Sequence, residues 1–172
     1  MSSLVILRGN SGSGKSSVAK SLQRKLGRNT LVIPQDTVRR EMLWAHDGRD
    51  TPALPLLITL LEYGNAHCNY VILEGILYAD WYRPLFESAT DLFGDRIFAY
   101  YYDLPFEETL KRHETKKEKF EFGEAQMRSW WREKDLLDII PEKIFRQDVS
   151  LESAVEFIFH DISAADSNGL SG

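Results

Sequence analysis

The chain has 172 residues, 43% hydrophobic and 27% charged, which suits one globular domain with a sizeable core and excludes collagen-like, disordered and coiled-coil architectures. Lys and Arg total 21 against 26 Asp and Glu, a net charge of -5, so duplex nucleic acid is not an expected partner. Cys68 is alone, no run approaches the roughly 18 apolar residues of a membrane span, and Leu4 to Leu7 falls short of the roughly 7 to 15 of a signal peptide; a soluble cytoplasmic monomer or homodimer is expected.

Leu4 to Gly9 reads as a buried strand. It leads into Gly9-Asn10-Ser11-Gly12-Ser13-Gly14-Lys15-Ser16, which satisfies G-x-x-x-x-G-K-[ST] in full. A helix opens at Lys15, with Val18, Leu22 and Leu26 along one side. Glycines in such a loop turn backbone N–H groups toward an anion, and the helix N-terminus adds its positive field. Gly9 through Ser17 are therefore the expected triphosphate cradle, with Lys15 on the β and γ phosphates and the Ser16 hydroxyl on Mg²⁺.

Thr30 to Gln35 is the second expected strand, and Asp36 follows it, before Thr37-Val38-Arg39-Arg40-Glu41-Met42. A carboxylate there either caps the next helix or faces a ligand, since α/β proteins bind ligands beyond the carboxyl ends of their strands. Leu54, Leu57, Ile58 and Leu61 form an apolar helical stripe. Tyr70 to Leu73 is the third strand, with Glu74-Gly75 after it, where a carboxylate can hold a metal-bound water, orient substrate or pair with Lys15 or an arginine.

Arg96 to Tyr102 is the fourth strand; Asp103-Leu104-Pro105 reads as a turn into a helix from Phe106 to Lys119. From Lys111 to Lys119 five of nine residues are Lys or Arg. Lys116, Lys117 and Lys119 are expected to face water, while Arg112, Arg128 and Arg132 suit a lid that grips phosphate or stacks on a base, against a simpler pairing of Glu108 with Arg112 and Glu124 with Arg128. Lys143 to Arg146 is a weaker fifth strand, and Leu151, Ala154, Val155 and Ile158 mark the last helix, with residues 164–172 expected to be mobile. Trp44, Trp81, Trp130, Trp131, Tyr78 and Tyr82 read chiefly as packing residues, and His46, His67, His113 and His160 show no metal-ligand spacing.

Alternating strands and helices imply an α/β fold: a P-loop NTPase three-layer sandwich, with a five-stranded parallel sheet, helices on both faces and a helical lid at about 112–132 in a single domain, 1–163. Segments that mark GTPases (Asn-Lys-x-Asp), transporter ATPases (Leu-Ser-Gly-Gly-Gln) and motor ATPases (an acidic pair) are missing from the sequence. From Leu4 to Phe159 the chain resembles the P-loop nucleoside and small-molecule kinases, particularly chloramphenicol phosphotransferase-like, zeta-toxin-like and polynucleotide-kinase-like domains, through the phosphate loop, Asp36, Glu74-Gly75, Asp103-Leu104-Pro105 and the basic segment Arg112 to Arg132. The resemblance implies ATP, Mg²⁺ and transfer of the γ-phosphoryl group to a hydroxyl of a small molecule such as a nucleoside, sugar or antibiotic. In that scheme Lys15, Asp36, Arg128 and Arg132 are catalytic, Gly9 to Ser17 and Arg112 bind nucleotide, Asp36, Arg39, Arg40 and Glu74 face the acceptor, and Ser16 and Glu74 serve the metal. Most P-loop proteins carry Asp where Glu74 stands. A nucleotide kinase with a phosphate acceptor and an ATP-binding regulatory module are the alternatives.

Overall fold

The computed structural model describes residues 2–114 and 123–169. Strands β1 (Ser3–Gly9), β2 (Thr30–Pro34), β3 (Tyr70–Gly75), β4 (Ile97–Tyr102) and β5 (Glu142–Phe145) form one parallel sheet in the order β2-β3-β1-β4-β5. The helices are α1 (Lys15–Leu26), α2 (Gln35–Thr37, running on as a π-helical turn over Val38–Met42), α3 (Ala53–His67), α4 (Arg83–Phe93), α5 (Phe106–Glu114), α6 (Glu124–Ser129) and α7 (Leu151–Gly169).

The continuous apolar run of β1 follows from its central place, because successive side chains turn to opposite faces and both faces are covered. Leu4 and Ile6 pack with Leu57 and Leu61 of α3 and Leu85 and Phe86 of α4. Val5 and Leu7 pack with Val18 and Leu22 of α1 and Ile158 of α7. Each large apolar side chain so buried contributes about 1.5–3 kcal/mol.

Several boundaries differ from the sequence reading. β3 continues two residues beyond Leu73, so Glu74 lies within the strand. The buried face of α3 is Ala53, Leu57, Leu61 and Gly64, with Leu54 and Ile58 only partly covered. On α7 the inward residues are Ala154, Val155, Ile158 and Ile162, whereas Leu151 is exposed. Residues 164–169 are helical. Lys116, Lys117 and Lys119 lie outside the described residues. Among the described residues no helix is long and apolar enough to cross a membrane.

Candidate active site

The loop between β1 and α1 is shaped by its glycines. Gly9, Gly12 and Gly14 have φ of +143°, +80° and +94°. At Gly12 space decides as well: a Cβ would lie 2.5 Å from the carbonyl oxygen of Thr109, so the loop crest rests directly on α5. No side chain caps α1, which leaves the first-turn N–H groups for an anion. Lys15 is buried and its Nζ donates to the Asn10 carbonyl at 2.9 Å and to Ser13 Oγ at 3.0 Å. It is folded back over the loop, within which a phosphate would be cradled.

Ser16 Oγ donates to Glu74 Oε1 at 2.9 Å, joining the start of α1 to the end of β3. These two hard oxygen donors fit Mg²⁺, which takes one or two protein groups and fills its octahedron with water and phosphate oxygens. Among the described residues no three His, Cys, Asp or Glu side chains gather as a metal cage.

Asp36 does not cap a helix: its oxygens accept from Arg39 Nη2 at 2.5 Å and Arg40 Nη1 at 3.3 Å. Its side chain is 57% exposed. The strand register explains its place. Pro34 of β2 pairs with Glu74 of β3, so Asp36 stands two residues beyond the partner of Glu74. Gly75 permits this approach, because a Cβ there would lie 2.9 Å from Gln35 Cβ and 3.1 Å from its Oε1. The bare backbone lets α2 settle on β3 and thereby sets Asp36.

Around Asp36 the polar contacts close a ring that sequence reasoning missed. Gln35 Nε2 donates to the Tyr82 hydroxyl at 2.7 Å, and that hydroxyl donates to Asp47 Oδ1 at 2.6 Å. Asp47 lies 3.8 Å from Arg39 Nε, which returns the ring to Asp36. Burial first, and then the hydrogen bond to Asp47, push the Tyr82 hydroxyl far above its usual pKa, so it remains a donor.

The three expected lid arginines go to three different places. Arg112 lies against the phosphate loop, donating to the Ser13 carbonyl at 3.1 Å and the Gln147 carbonyl at 3.3 Å while pairing with Glu108 at 2.7 Å. With Gly14, Ser17, Tyr102 and Val149 it lines a cavity of about 190 Å³ beside the first turn of α1. Arg128 pairs with Glu124 at 2.9 Å and its guanidinium sits 4.2 Å from the centre of the Phe106 ring, so both sides of the simpler pairing scheme are realised there. Arg132 lies 3.9 Å from the centre of the Tyr78 ring and donates to Asp80 Oδ1 at 2.5 Å. Burial pushes the Tyr78 hydroxyl up to about 12, and it donates to the Trp130 carbonyl at 2.6 Å.

Beneath the site sits Arg8, fully buried on β1 and unmarked by any sequence signal except a charge inside an apolar strand. Its Nε donates to the Leu77 carbonyl at 3.0 Å. Nη1 donates to both oxygens of Glu142 at 2.9 and 3.0 Å, and Nη2 to the carbonyl and Oδ2 of Asp135 at 2.8 and 2.9 Å. All five N–H donors are thus satisfied, the condition under which a buried guanidinium is tolerated. Tyr78 and Tyr82 pack as expected, whereas Trp44 is 93% exposed in a left-handed conformation with φ +49°. Of the histidines only His113 is buried.

No curated protein matches the sequence. Solved structures share the fold: a gluconokinase from Sinorhizobium meliloti 1021 (TM-score 0.69, 17% identity, 96% of this chain and 94% of that one) and the Mycobacterium tuberculosis APS kinase in complex with AMPPNP and APS (TM-score 0.64, 23% identity, 92% and 96%). The tunicamycin resistance protein of Deinococcus radiodurans is also similar (TM-score 0.62, 15% identity, 94% and 96%). At these identities the likeness is one of fold. Residues 4–135 match the model of the AAA domain family, and the chain, with its phosphate loop and five-stranded parallel sheet, belongs to that family.

Proposed function

We propose that the protein is an ATP-dependent kinase that transfers the γ-phosphoryl group to a hydroxyl of a small molecule. One observation carries the reading: Ser16, Glu74 and Asp36 line up across the adjacent ends of β1, β3 and β2, with Ser16 bonded to Glu74 and Asp36 just past the residue that pairs with Glu74. A triphosphate seated on the loop then has its terminal group directed toward the acceptor side, where Asp36 stands exposed.

In this reading the loop N–H groups and Lys15 hold the β and γ phosphates. Ser16 and Glu74 would hold Mg²⁺, which supplies neutralisation of the phosphate charge. The acceptor oxygen forms its bond to the γ-phosphorus as the bond to the β-phosphate oxygen breaks, and ADP leaves. Asp36 orients the hydroxyl and takes its proton, while Arg39 and Arg40 fix the carboxylate. The cavity beneath Arg112 receives the nucleoside. A phosphate acceptor is less well supported, since Arg39 and Arg40 are both committed to Asp36 and such an acceptor needs no base.

ADP formation from ATP and Mg²⁺ over a panel of nucleosides, sugars, sugar acids and hydroxylated antibiotics tests the proposal. Turnover that requires one of these hydroxyl compounds supports it. Nucleotide binding without acceptor-dependent turnover on any of them favours the regulatory module.

A further inference from the structure

Three consecutive tyrosines close β4, and two of their hydroxyls are paired. Tyr100 donates to Asp161 Oδ2 at 2.7 Å, and the Tyr101 hydroxyl accepts from the Asp135 N–H at 3.1 Å. Tyr102 is 3% exposed, its hydroxyl is buried, and among the described residues that hydroxyl has no hydrogen-bond partner. A buried hydroxyl left unpaired costs the full desolvation of the group, so its presence calls for a physical reason.

The surroundings of the ring supply one. Tyr102 stands opposite Gly9 in the β1–β4 register, and a Cβ on Gly9 would lie 2.9 Å from Tyr102 Cβ, so the side chain starts directly beside the phosphate loop. Its ring rests edge-on against Phe145, 5.4 Å between centres. With Ser13, Gly14 and Ser17 on one side and Val149 and Ser150 on the other, Tyr102 walls the cavity of about 190 Å³ beside α1. Arg112 bridges the two sides, from the Ser13 carbonyl at 3.1 Å to the Gln147 carbonyl at 3.3 Å. The Tyr102 hydroxyl lies in the field of that guanidinium, but burial outweighs it and keeps the pKa above its usual value, so the group stays protonated and able to donate. Thr30, Arg39 and Arg96 also carry a buried side-chain atom without a hydrogen-bond partner among the described residues, yet none of the three lines this cavity.

We infer that the Tyr102 hydroxyl is a specificity-determining contact for the nucleotide. It donates to an acceptor atom of the nucleoside, a ring nitrogen of the base or a ribose hydroxyl, as the entering nucleoside draws Arg112 off the Gln147 carbonyl, the longer of its two carbonyl bonds. This rests on the nucleotide-binding half of the kinase reading and adds the group that tells a nucleoside triphosphate from a bare polyphosphate. The phosphate loop holds the phosphates of either one, and only a nucleoside fills the cavity.

The test measures binding to the full chain with Mg²⁺, independently of turnover. Tyr102→Phe removes one oxygen and keeps the ring. Its affinity for a nonhydrolysable ATP analogue should fall about 3- to 10-fold, the value of one neutral hydrogen bond, while its affinity for inorganic tripolyphosphate stays at wild type. The melting temperature of the ligand-free variant should hold or rise, because an unpaired hydroxyl has gone; a hydroxyl with a structural role would lower it. In the wild type, the 2′- and 3′-deoxy forms of ATP and analogues with one ring nitrogen replaced by C–H locate the partner. The analogue lacking that atom should bind weakly to the wild type and lose nothing further in Tyr102→Phe. Unchanged ATP-analogue affinity in Tyr102→Phe, an equal loss for tripolyphosphate, a fall in the ligand-free melting temperature, or wild-type affinity for every analogue equal to that for ATP would overturn the inference. Acceptor-dependent turnover is scored separately, and its absence beside the expected binding results would remove the kinase reading alone.

Discussion

Asn10 and Arg132 stand 122 residues apart in the chain, yet the side-chain amide of one and the backbone of the other are bonded in both directions. Asn10 Nδ2 donates to the Arg132 carbonyl at 2.7 Å, and the Arg132 N–H donates to Asn10 Oδ1 at 3.0 Å. Asn10 is a variable position of the phosphate-loop motif, and its carbonyl also receives Lys15. The stretch after α6 is thereby docked on the loop that would hold the phosphates.

Asn10→Ala should therefore cost stability through two backbone groups at Arg132 that lose their partners, about 1–3 kcal/mol. Hydrogen exchange at the Arg132 amide should speed up while exchange in β1 and α1 changes by the global loss alone. Asn10→Asp keeps the acceptor for the N–H but sets an oxygen against the Arg132 carbonyl, and should recover little. An unchanged Arg132 exchange rate in the Ala variant would contradict the docking.

Asp36→Asn separates chemistry from scaffolding. The amide matches the carboxylate in size but is a far weaker base, so transfer should fall by about 10²- to 10⁴-fold. The Arg39 and Arg40 bonds are exposed ion pairs of small value, so the melting temperature should move little. ATP-analogue affinity should stay near wild type. An Asn variant as active as wild type would take Asp36 out of the mechanism.

Arg8 makes the opposite demand. Arg8→Met leaves Glu142 and Asp135 facing one another without the guanidinium that holds both, and breaking a buried pair from one side costs about 3–5 kcal/mol. Urea unfolding should show that loss with β5 and the Asp135 segment the first to exchange. A variant within about 0.5 kcal/mol of wild type, the scale of a surface change, would mean the network is dispensable.

Asp80 gives the fold a pH signature. Desolvation alone would raise its pKa, but the hydrogen bond and charge of Arg132, with the charge of Arg49, outweigh it and hold the carboxyl below its ordinary value. A depressed folded pKa contributes stability above the unfolded value, about 3.9, and that contribution disappears as pH falls through the folded pKa. The melting-temperature gap between wild type and Asp80→Asn should accordingly be present at neutral pH and close in acid. A gap that stays constant from neutral pH into acid would place the effect elsewhere.

The sheet and the phosphate loop were legible because their signals are local. Apolar runs of Leu, Ile, Val and Tyr mark strands buried on both faces, and Gly12 and Gly14 announce backbone that other residues resist. The Asp36 cap was a local reading that failed, since Arg39 and Arg40, three and four residues on, compete successfully for the same oxygens. Arg8, Arg49, Asp80 and Asp47 stayed invisible for a different reason. Each draws its role from a partner between 31 and 134 residues away, and a charge in a loop or strand carries no periodicity that reveals its partner. Arg112, Arg128 and Arg132 stand out in the sequence as basic residues, but a charge run carries no sign that one lies against the phosphate loop, one over the Phe106 ring and one over the Tyr78 ring.

The central claim is tested most directly by following the γ-phosphoryl group itself. ATP carrying a γ-phosphorus label is incubated with Mg²⁺ and each acceptor, and the products are resolved by phosphorus NMR and mass spectrometry, with Lys15→Ala as the control that loses nucleotide binding while keeping its fold. The account predicts label in a phosphomonoester on an acceptor oxygen, formed by wild type and nearly abolished in Lys15→Ala. Label found only in inorganic phosphate, or in a phosphoanhydride on a phosphate acceptor, would contradict it.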